Sequence, residues 1–331
     1  MGTRRFSGIA RFGADPCFSK GFLDQEIGDL AERALSRVPL SDEEGEVEFT
    51  RRAFLMAAGA AGIALSALAS VEGIKIGVCA PTSELDQVVS YGFDYIEPAA
   101  ASVSEMSEAS FQAFKAKLMA SPIRCECYNS FIRRKDLRVV GDDVNWNALK
   151  DYLDPTLARC RELGGSIVVW GSAGSRNVPP GYSREKAWSQ IKDFLGRAGD
   201  SARRHQMVIA IEPLRHQESN IINTGAEALR LVHEVNHPNI KMIIDYYHLR
   251  VENENPEIIL EARKEIVHFH FANPNGRLWP KSPVEDPQYG EFFKLVKQIG
   301  FHGGISIEGR GSLSQDGTAS LAFFRQEITA A

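Results

Sequence analysis

From position 74 onward the chain repeats one unit eight times: a short apolar run, often β-branched, then a longer segment whose apolar residues recur every three or four positions. That alternation is the pattern of consecutive βα units, which pair their strands in parallel and use the helices as crossovers. The strand candidates are 74–80, 95–99, 123–129, 166–171, 208–214, 240–246, 266–272 and 304–309. Helical periodicity marks 146–163, 182–205, 226–235, 256–264 and 292–299 among the intervening segments. Asn223-Thr224-Gly225 and Asn253-Glu254-Asn255-Pro256 supply helix-start chemistry, and Gly164 and Gly300 supply stops. The predicted fold is α/β, a single-domain (β/α)8 barrel. An open doubly wound sheet is the alternative, but no Gly-rich phosphate loop follows the first strand.

The segment ahead of the barrel reads differently. Thr50-Arg51-Arg52-Ala53-Phe54-Leu55 opens an Ala/Gly-rich apolar stretch ending in Ala67-Leu68-Ala69, a small-residue cleavage pattern. Residues 51–69 are therefore expected to be a twin-arginine export signal, with a periplasmic or exported protein as the consequence. The alternatives are an ordinary buried helix and a cytoplasmic protein. Gly59, Gly62 and Ser66 make the stretch a poor membrane span, so no stable span is expected once the signal is cleaved. Residues 1–50 carry six basic and ten acidic side chains, an acidic extension unlike the short positive start of a signal. A start assigned too early and a genuine disordered extension both fit it. The remaining residues, 70–331, match the roughly 250 of a single barrel.

Composition narrows the partners. Lys and Arg total 38 against 43 Asp and Glu, a formal charge of -5 with no long basic run, so the electrostatic footprint of a nucleic-acid binder is absent. Five cysteines are too few and too scattered for a disulfide framework. Cys125 and Cys127 stand two apart in one strand, where alternation would put both on one face as packing thiols.

In a barrel of this kind the chemistry gathers at the C-terminal ends of the strands. By alternation Val208, Ala210 and Glu212 point inward while Ile209 and Ile211 face the helices. The last strand repeats this with Gly304, Ser306 and Glu308 inside. The run 266–272 puts His268 and His270 inside, with Val267, Phe269 and Phe271 outside. The run 240–246 ends at Asp245, with His248 three residues on. The separations Glu212 to Asp245 (33), Asp245 to His270 (25) and His270 to Glu308 (38) are each about one βα unit. Four neighbouring strands thus deliver Glu, Asp, His and Glu to one rim.

Three carboxylates that close would repel strongly unless a cation neutralises them. One divalent metal held by Glu212, Asp245, His270 and Glu308 is the simplest solution. Carboxylate-rich coordination with a single imidazole suits Mn2+ best, with Co2+, Fe2+ or Mg2+ as substitutes. Taken singly, Glu212 or Glu308 reads equally well as a salt-bridge partner of a barrel arginine; four such residues at matching strand ends do not.

Glu212-Pro213-Leu214 with Glu218 and Asn223-Thr224 beyond, Asp245-Tyr246-Tyr247-His248, His268-Phe269-His270 followed by Arg277, and Ser306-Ile307-Glu308 together resemble the xylose isomerase-like TIM-barrel sugar isomerase/epimerase superfamily. The pattern is most similar to D-tagatose/D-psicose 3-epimerases and hydroxypyruvate isomerases. The resemblance implies that Glu212 and Glu308 also act as the acid/base pair, and that Glu218, His248 and Arg277 bind substrate. His268 matches an inward histidine of the pattern, to be read either as a substrate contact or as a hydrogen bond inside the barrel. A homodimer or tetramer is implied too. The chain departs from the pattern at Arg215-His216, where Asn-Arg is frequent, and at 278–283, which replaces a Pro-Gly-x-Gly stretch.

The activity this implies is isomerisation or epimerisation of a ketose or keto-sugar by proton abstraction beside a carbonyl, through an enediolate. Two alternatives remain open at this point: a keto-glycoside lyase or dehydratase using the same abstraction, and a non-catalytic periplasmic sugar-binding protein. Tyr128, Phe131, Trp170 and Trp279 are candidates for stacking on sugar faces, or for packing.

Overall fold

The computed structural model describes residues 73–331; the acidic segment 1–50 and residues 51–69, expected to be a twin-arginine signal, lie outside the described residues. All eight predicted strands form. They are β1 (Lys75–Cys79), β2 (Tyr95–Glu97), β3 (Arg124–Cys125), β4 (Cys127–Tyr128), β5 (Ile167–Trp170), β6 (Val208–Ile211), β7 (Ile240–Asp245), β8 (Ile266–Phe271) and β9 (Gly304–Ile307). The count is nine because the third predicted strand is split at Glu126. Every pairing is parallel, and the order β3-β2-β1-β9-β8-β7-β6-β5-β4 brings the two halves of that strand to the two edges of one sheet. Glu126 joins those edges covalently and an Ala99–Asn129 bridge adds to the seam, so the sheet is a nearly closed TIM barrel.

Local chemistry sets the helix ends. Thr224 caps Gly225–Val235 by accepting from Glu227 N at 3.1 Å, while the Glu227 carboxylate reaches back to Asn223 N at 2.7 Å. Gly164 and Gly300 take left-handed conformations at the predicted stops, with φ of 99° and 64°. The predicted helix over 256–264 is shorter, Ile258–Glu261. Among the described residues no helix is long and apolar enough to cross a membrane.

Two apolar layers result from strand alternation. Ile209, Ile211, Phe269, Phe271, Ile305 and Ile307 face outward into the large core shared with the helices. Cys127, Val169, Ala210 and Ile243 form a small inner cluster, with Ile167 and Val267 packed against it. Above this plug the inner positions turn polar: Glu97, Glu212, Asp245, His268, His270 and Ser306 are all buried.

Alternation fails at two places. Val267 was expected outside, but the register jumps from Met242–Ile266 to Ile243–His268, leaving Val267 as an extra residue that turns to the inner cluster. Cys125 and Cys127 were expected on one face. The break at Glu126 sends Cys125 to the outer core and Cys127 to the inner cluster. Both thiols are buried, and burial is the main cause pushing their pKa up.

Candidate active site

Glu212 follows β6 directly, and its place depends on two neighbours. A Cβ added at Gly171 would sit 2.1 Å from Glu212 Oε2, so only glycine leaves room for this carboxylate. Behind it the fully buried Arg176 donates to the carbonyls of Trp170 (3.0 Å), Glu212 (2.8 Å) and Ile222 (3.4 Å), tying the ends of β5 and β6 to the following loop. Asp245 ends β7 and caps the helix Tyr246–Val251: its Oδ1 accepts from Tyr247 N at 2.8 Å, which leaves Oδ2 facing the barrel mouth. His270 lies in β8 and Glu308 one residue past β9.

These four residues meet. Ligand atoms from Glu212, Asp245, His270 and Glu308 all lie within 4.8 Å of one another. His270 Nδ1 faces Glu212 Oε1 at 3.2 Å and Glu308 Oε2 at 3.3 Å. Arg277 Nη2 lies 2.7 Å from Glu308 Oε2 and 3.4 Å from Asp245 Oδ2, and its Nη1 is 3.5 Å from Glu218 Oε1. His248 Nδ1 accepts a hydrogen bond from Arg215 N at 3.2 Å, so its Nε2 carries the ring hydrogen. Among the described residues that buried Nε2 has no hydrogen-bond partner; it sits 3.6 Å from Asp245 Oδ2.

Burial and mutual repulsion divide the titrations. Burial, then the Glu308 charge, raises Glu212 above the ordinary carboxylate range. Burial pushes Asp245 up to about 7, with Arg277 pulling against it and Glu212 and Glu308 adding to the rise. Burial works the same way on Glu308, but the His270 and Arg277 charges outweigh it and hold it at about 2. For His270 burial acts downward, and the charges of Glu97 and Glu308 overcome it and raise it well above normal. His248 is lowered well below normal, first by burial and then by Arg277, and stays neutral.

A compact set of three carboxylates and one imidazole, facing a neutral N–H donor that has no partner, fits a divalent cation with open positions for substrate oxygens. Among the described residues two further clusters, Cys79–Glu97–His270 and Glu97–Cys127–His268, have comparable spacing, and both depend on Glu97.

The cleft has two lobes that share Glu308. One, about 580 Å3, is lined by Arg215, Glu218, Tyr247, Arg277 and Arg310 among others. The second, about 320 Å3, lies over the other half of the rim and includes Cys79, Glu97, Asn129 and Arg133. Arg215 pairs with Glu218 at 2.7 Å, and its guanidinium and that of Arg277 both lie against the Tyr247 ring, at 5.2 and 4.9 Å from its centroid. His216 turns away to Glu252. Among the four aromatics proposed for stacking, Tyr128, Phe131 and Trp170 are wholly buried and Trp279 is 5% exposed; all four serve packing, and Tyr247 is the ring that borders the cleft.

Like His248, His268 does not line either lobe. It is buried behind His270 and donates from Nε2 to Glu97 at 2.9 Å, the hydrogen bond inside the barrel. Glu97 itself escaped the sequence reading. A signal was present: Ile96-Glu97-Pro98 repeats Ile211-Glu212-Pro213, again at the end of a strand. Arg176 was missed as well, and no periodicity marks a buried arginine whose partners are carbonyls from three separate segments.

Residues 85–327 match the family described as xylose isomerase-like TIM barrel. A D-psicose 3-epimerase of Agrobacterium fabrum is 26% identical over 230 residues, 68% of this chain and 77% of that protein. A 3-dehydro-D-guloside 4-epimerase of Escherichia coli is 28% identical over 181 residues, 52% of this chain and 68% of that protein. The crystal structure of a D-psicose 3-epimerase in the presence of D-fructose aligns with a TM-score of 0.68 at 18% identity, covering 77% of this chain and 99% of that one, which shows the shared fold.

Proposed function

The chain belongs to the xylose isomerase-like TIM-barrel family, and from that premise we propose that it is a divalent-metal-dependent sugar epimerase acting on a ketose or keto-sugar. The observation that carries this reading is the meeting of Glu212 and Glu308 with Asp245 and His270 inside 4.8 Å at the barrel mouth. The curated relatives, ketose and keto-glycoside epimerases, support the same class of chemistry.

The hydrogen beside a ketone is weakly acidic because its loss leaves an enediolate, a high-energy anion. Glu212, Asp245, His270 and Glu308 would hold the metal, whose contribution is to draw electron density from the carbonyl and neighbouring hydroxyl oxygens as that charge develops. The protein's own part is proton transfer and placement. Glu308, paired with Arg277 at 2.7 Å, is suited to accept the proton; Glu212, which meets no guanidinium at its carboxylate among the described residues, is suited to give one back. Delivery from the carboxylate opposite the one that took the proton inverts the carbon, and the reverse reaction exchanges the two roles. Arg277 offers a fixed positive fork to a substrate oxygen. His248 Nε2–H, which has no hydrogen-bond partner among the described residues, donates to another. Glu218 accepts a substrate hydroxyl beside Arg277.

Proton NMR tests this directly: the Mn2+-loaded protein is incubated in D2O with ketoses, aldoses, hydroxypyruvate and 3-keto-glycosides. Deuterium next to a carbonyl together with a new epimer is the expected result. Loss of the glycosidic substituent or of water would replace epimerisation with the lyase or dehydratase chemistry. Metal-loaded protein that exchanges nothing while binding sugar would overturn catalysis in favour of a binding protein.

A further inference from the structure

Glu97 closes β2 at 0% exposure, one layer below the rim. Its Oε1 accepts from His270 Nε2 at 2.9 Å, and its Oε2 accepts from His268 Nε2 at 2.9 Å and from Ser306 Oγ at 2.5 Å. Ser306 spends its single proton on Glu97, so the Tyr95 hydroxyl, 2.7 Å away, donates to Ser306 Oγ. Tyr95 reaches that position because Gly77 and Gly304 carry no side chain; a Cβ at either would come within 2.5 Å of the Tyr95 side chain. The network has one direction. An ionised carboxylate can only accept, so both imidazoles must carry their hydrogen on Nε2.

We propose that Glu97 is a positioning residue that fixes the tautomer and ring angle of His270, so that Nδ1 is the atom His270 offers to the metal. This rests on the reading of Glu212, Asp245, His270 and Glu308 as metal ligands. Nδ1 is the nitrogen that faces Glu212 and Glu308, at 3.2 and 3.3 Å. A carboxylate on the far nitrogen of a ligating histidine fixes its orientation and raises its basicity. His268 and Ser306 occupy the other oxygen of Glu97 and keep its carboxylate plane from turning. The same contacts argue against Glu97 as a ligand in its own right with Cys79 or Cys127, because three N–H and O–H donors already occupy most of its acceptor positions.

The substitution Glu97→Gln puts the inference at risk. A glutamine either turns its NH2 toward His270, which then has to move its hydrogen to Nδ1, or turns it toward His268 and Ser306 and leaves His270 Nε2 only an uncharged amide oxygen, which supports the ring's basicity less than a carboxylate. Mn2+ titration of the metal-free full chain, followed by the paramagnetic signal of free Mn2+, should show about 10- to 100-fold weaker binding in E97Q. The thermal melt of the metal-free variant checks that the barrel is intact. A second measurement needs no variant: long-range 15N spectra of histidine-labelled, Zn2+-loaded wild-type protein. These should show one histidine bound through Nδ1 and protonated at Nε2. Wild-type affinity in a folded E97Q, or coordination through Nε2, would overturn the role of Glu97 while leaving the metal site standing. Wild-type protein that binds no divalent cation would overturn both.

Discussion

Arg277 Nη2 lies 2.7 Å from Glu308 Oε2, the same oxygen that faces His270 Nδ1 at 3.3 Å. Glu212, by contrast, meets the imidazole but, among the described residues, no guanidinium at its carboxylate: Arg176 donates to its backbone carbonyl instead. Two glutamates at one rim therefore have unlike surroundings, and the difference separates their protonation states. Environments that push paired carboxylates apart are a common basis for acid and base roles.

That asymmetry makes the two Glu→Gln variants distinguishable. Each should lower net epimerisation by about 100-fold or more, the scale of a lost general acid or base. In D2O, E212Q retains Glu308 and should wash deuterium into one epimer without inverting it, whereas E308Q should do so only with the other epimer. NMR of each pure epimer checks this, and undiminished turnover in both variants would remove the two residues from the mechanism.

Gly171 should tolerate no side chain. The alanine methyl would sit 2.1 Å from Glu212 Oε2 and only at ordinary contact distance, 3.5 Å, from Leu214 Cδ2. Gly171→Ala is thus expected to displace one carboxylate and leave the packing largely in place. The expected result is at least about a tenfold loss of kcat/KM, the cost of a catalytic group moved by roughly an ångström, with weaker metal binding and a Tm within a few degrees of wild type. Full activity in G171A would mean that Glu212 works from a different position.

Metal binding should strengthen as pH rises from 5 to 8. Asp245, raised to about 7, and His270, raised well above its usual value, still hold protons in that range in the metal-free protein. A cation must displace them, so affinity falls as pH falls. The raised groups make the folded metal-free state bind more protons than the unfolded chain, so their share of its stability declines as pH rises. His248 and His268, both lowered, act in the opposite sense, and neither is displaced by the metal. The quantity to measure is therefore the increase in Tm caused by Mn2+ at each pH, which should be larger at pH 8 than at pH 6. A pH-independent increase would contradict protonated ligands in the metal-free site.

The barrel and its rim were legible because period-two alternation in short β-branched runs fixes which residues point inward, and parallel strands put every inward end on one face. Glu212, Asp245, His270 and Glu308 reach one rim for that reason, and local contacts such as the Gly171 gap and the Asp245 cap then set their carboxylates. Legibility stopped where alternation stopped. The bulge at Val267 and the break at Glu126 each reverse a face without any change in residue type. Glu97 is on a strand of three residues, too short for a pattern, and its partners His268, His270 and Ser306 come from about 170 to 210 positions away. Arg176 reads from its sequence as a surface charge; only the folded chain supplies the three carbonyls that let it be buried.

His248 offers the sharpest test of substrate contact. Its Nδ1 is committed to Arg215 N, which leaves Nε2–H as a buried donor without a hydrogen-bond partner among the described residues, an arrangement that costs free energy unless a ligand completes it. His248→Phe keeps the ring and removes both nitrogens. A donor that holds the substrate equally in the ground and transition states should raise KM by about tenfold, the equivalent of one hydrogen bond of about 1.4 kcal/mol, with kcat little changed. A donor that strengthens as the oxygen gains charge should instead lower kcat, and then His248 belongs to the chemistry of the enediolate. Unchanged kcat and KM would show that Nε2 meets no substrate oxygen, and would leave Arg277 and Glu218 to hold the sugar. Because His248 is lowered well below the usual range, neither result should depend on its titration between pH 7 and 9.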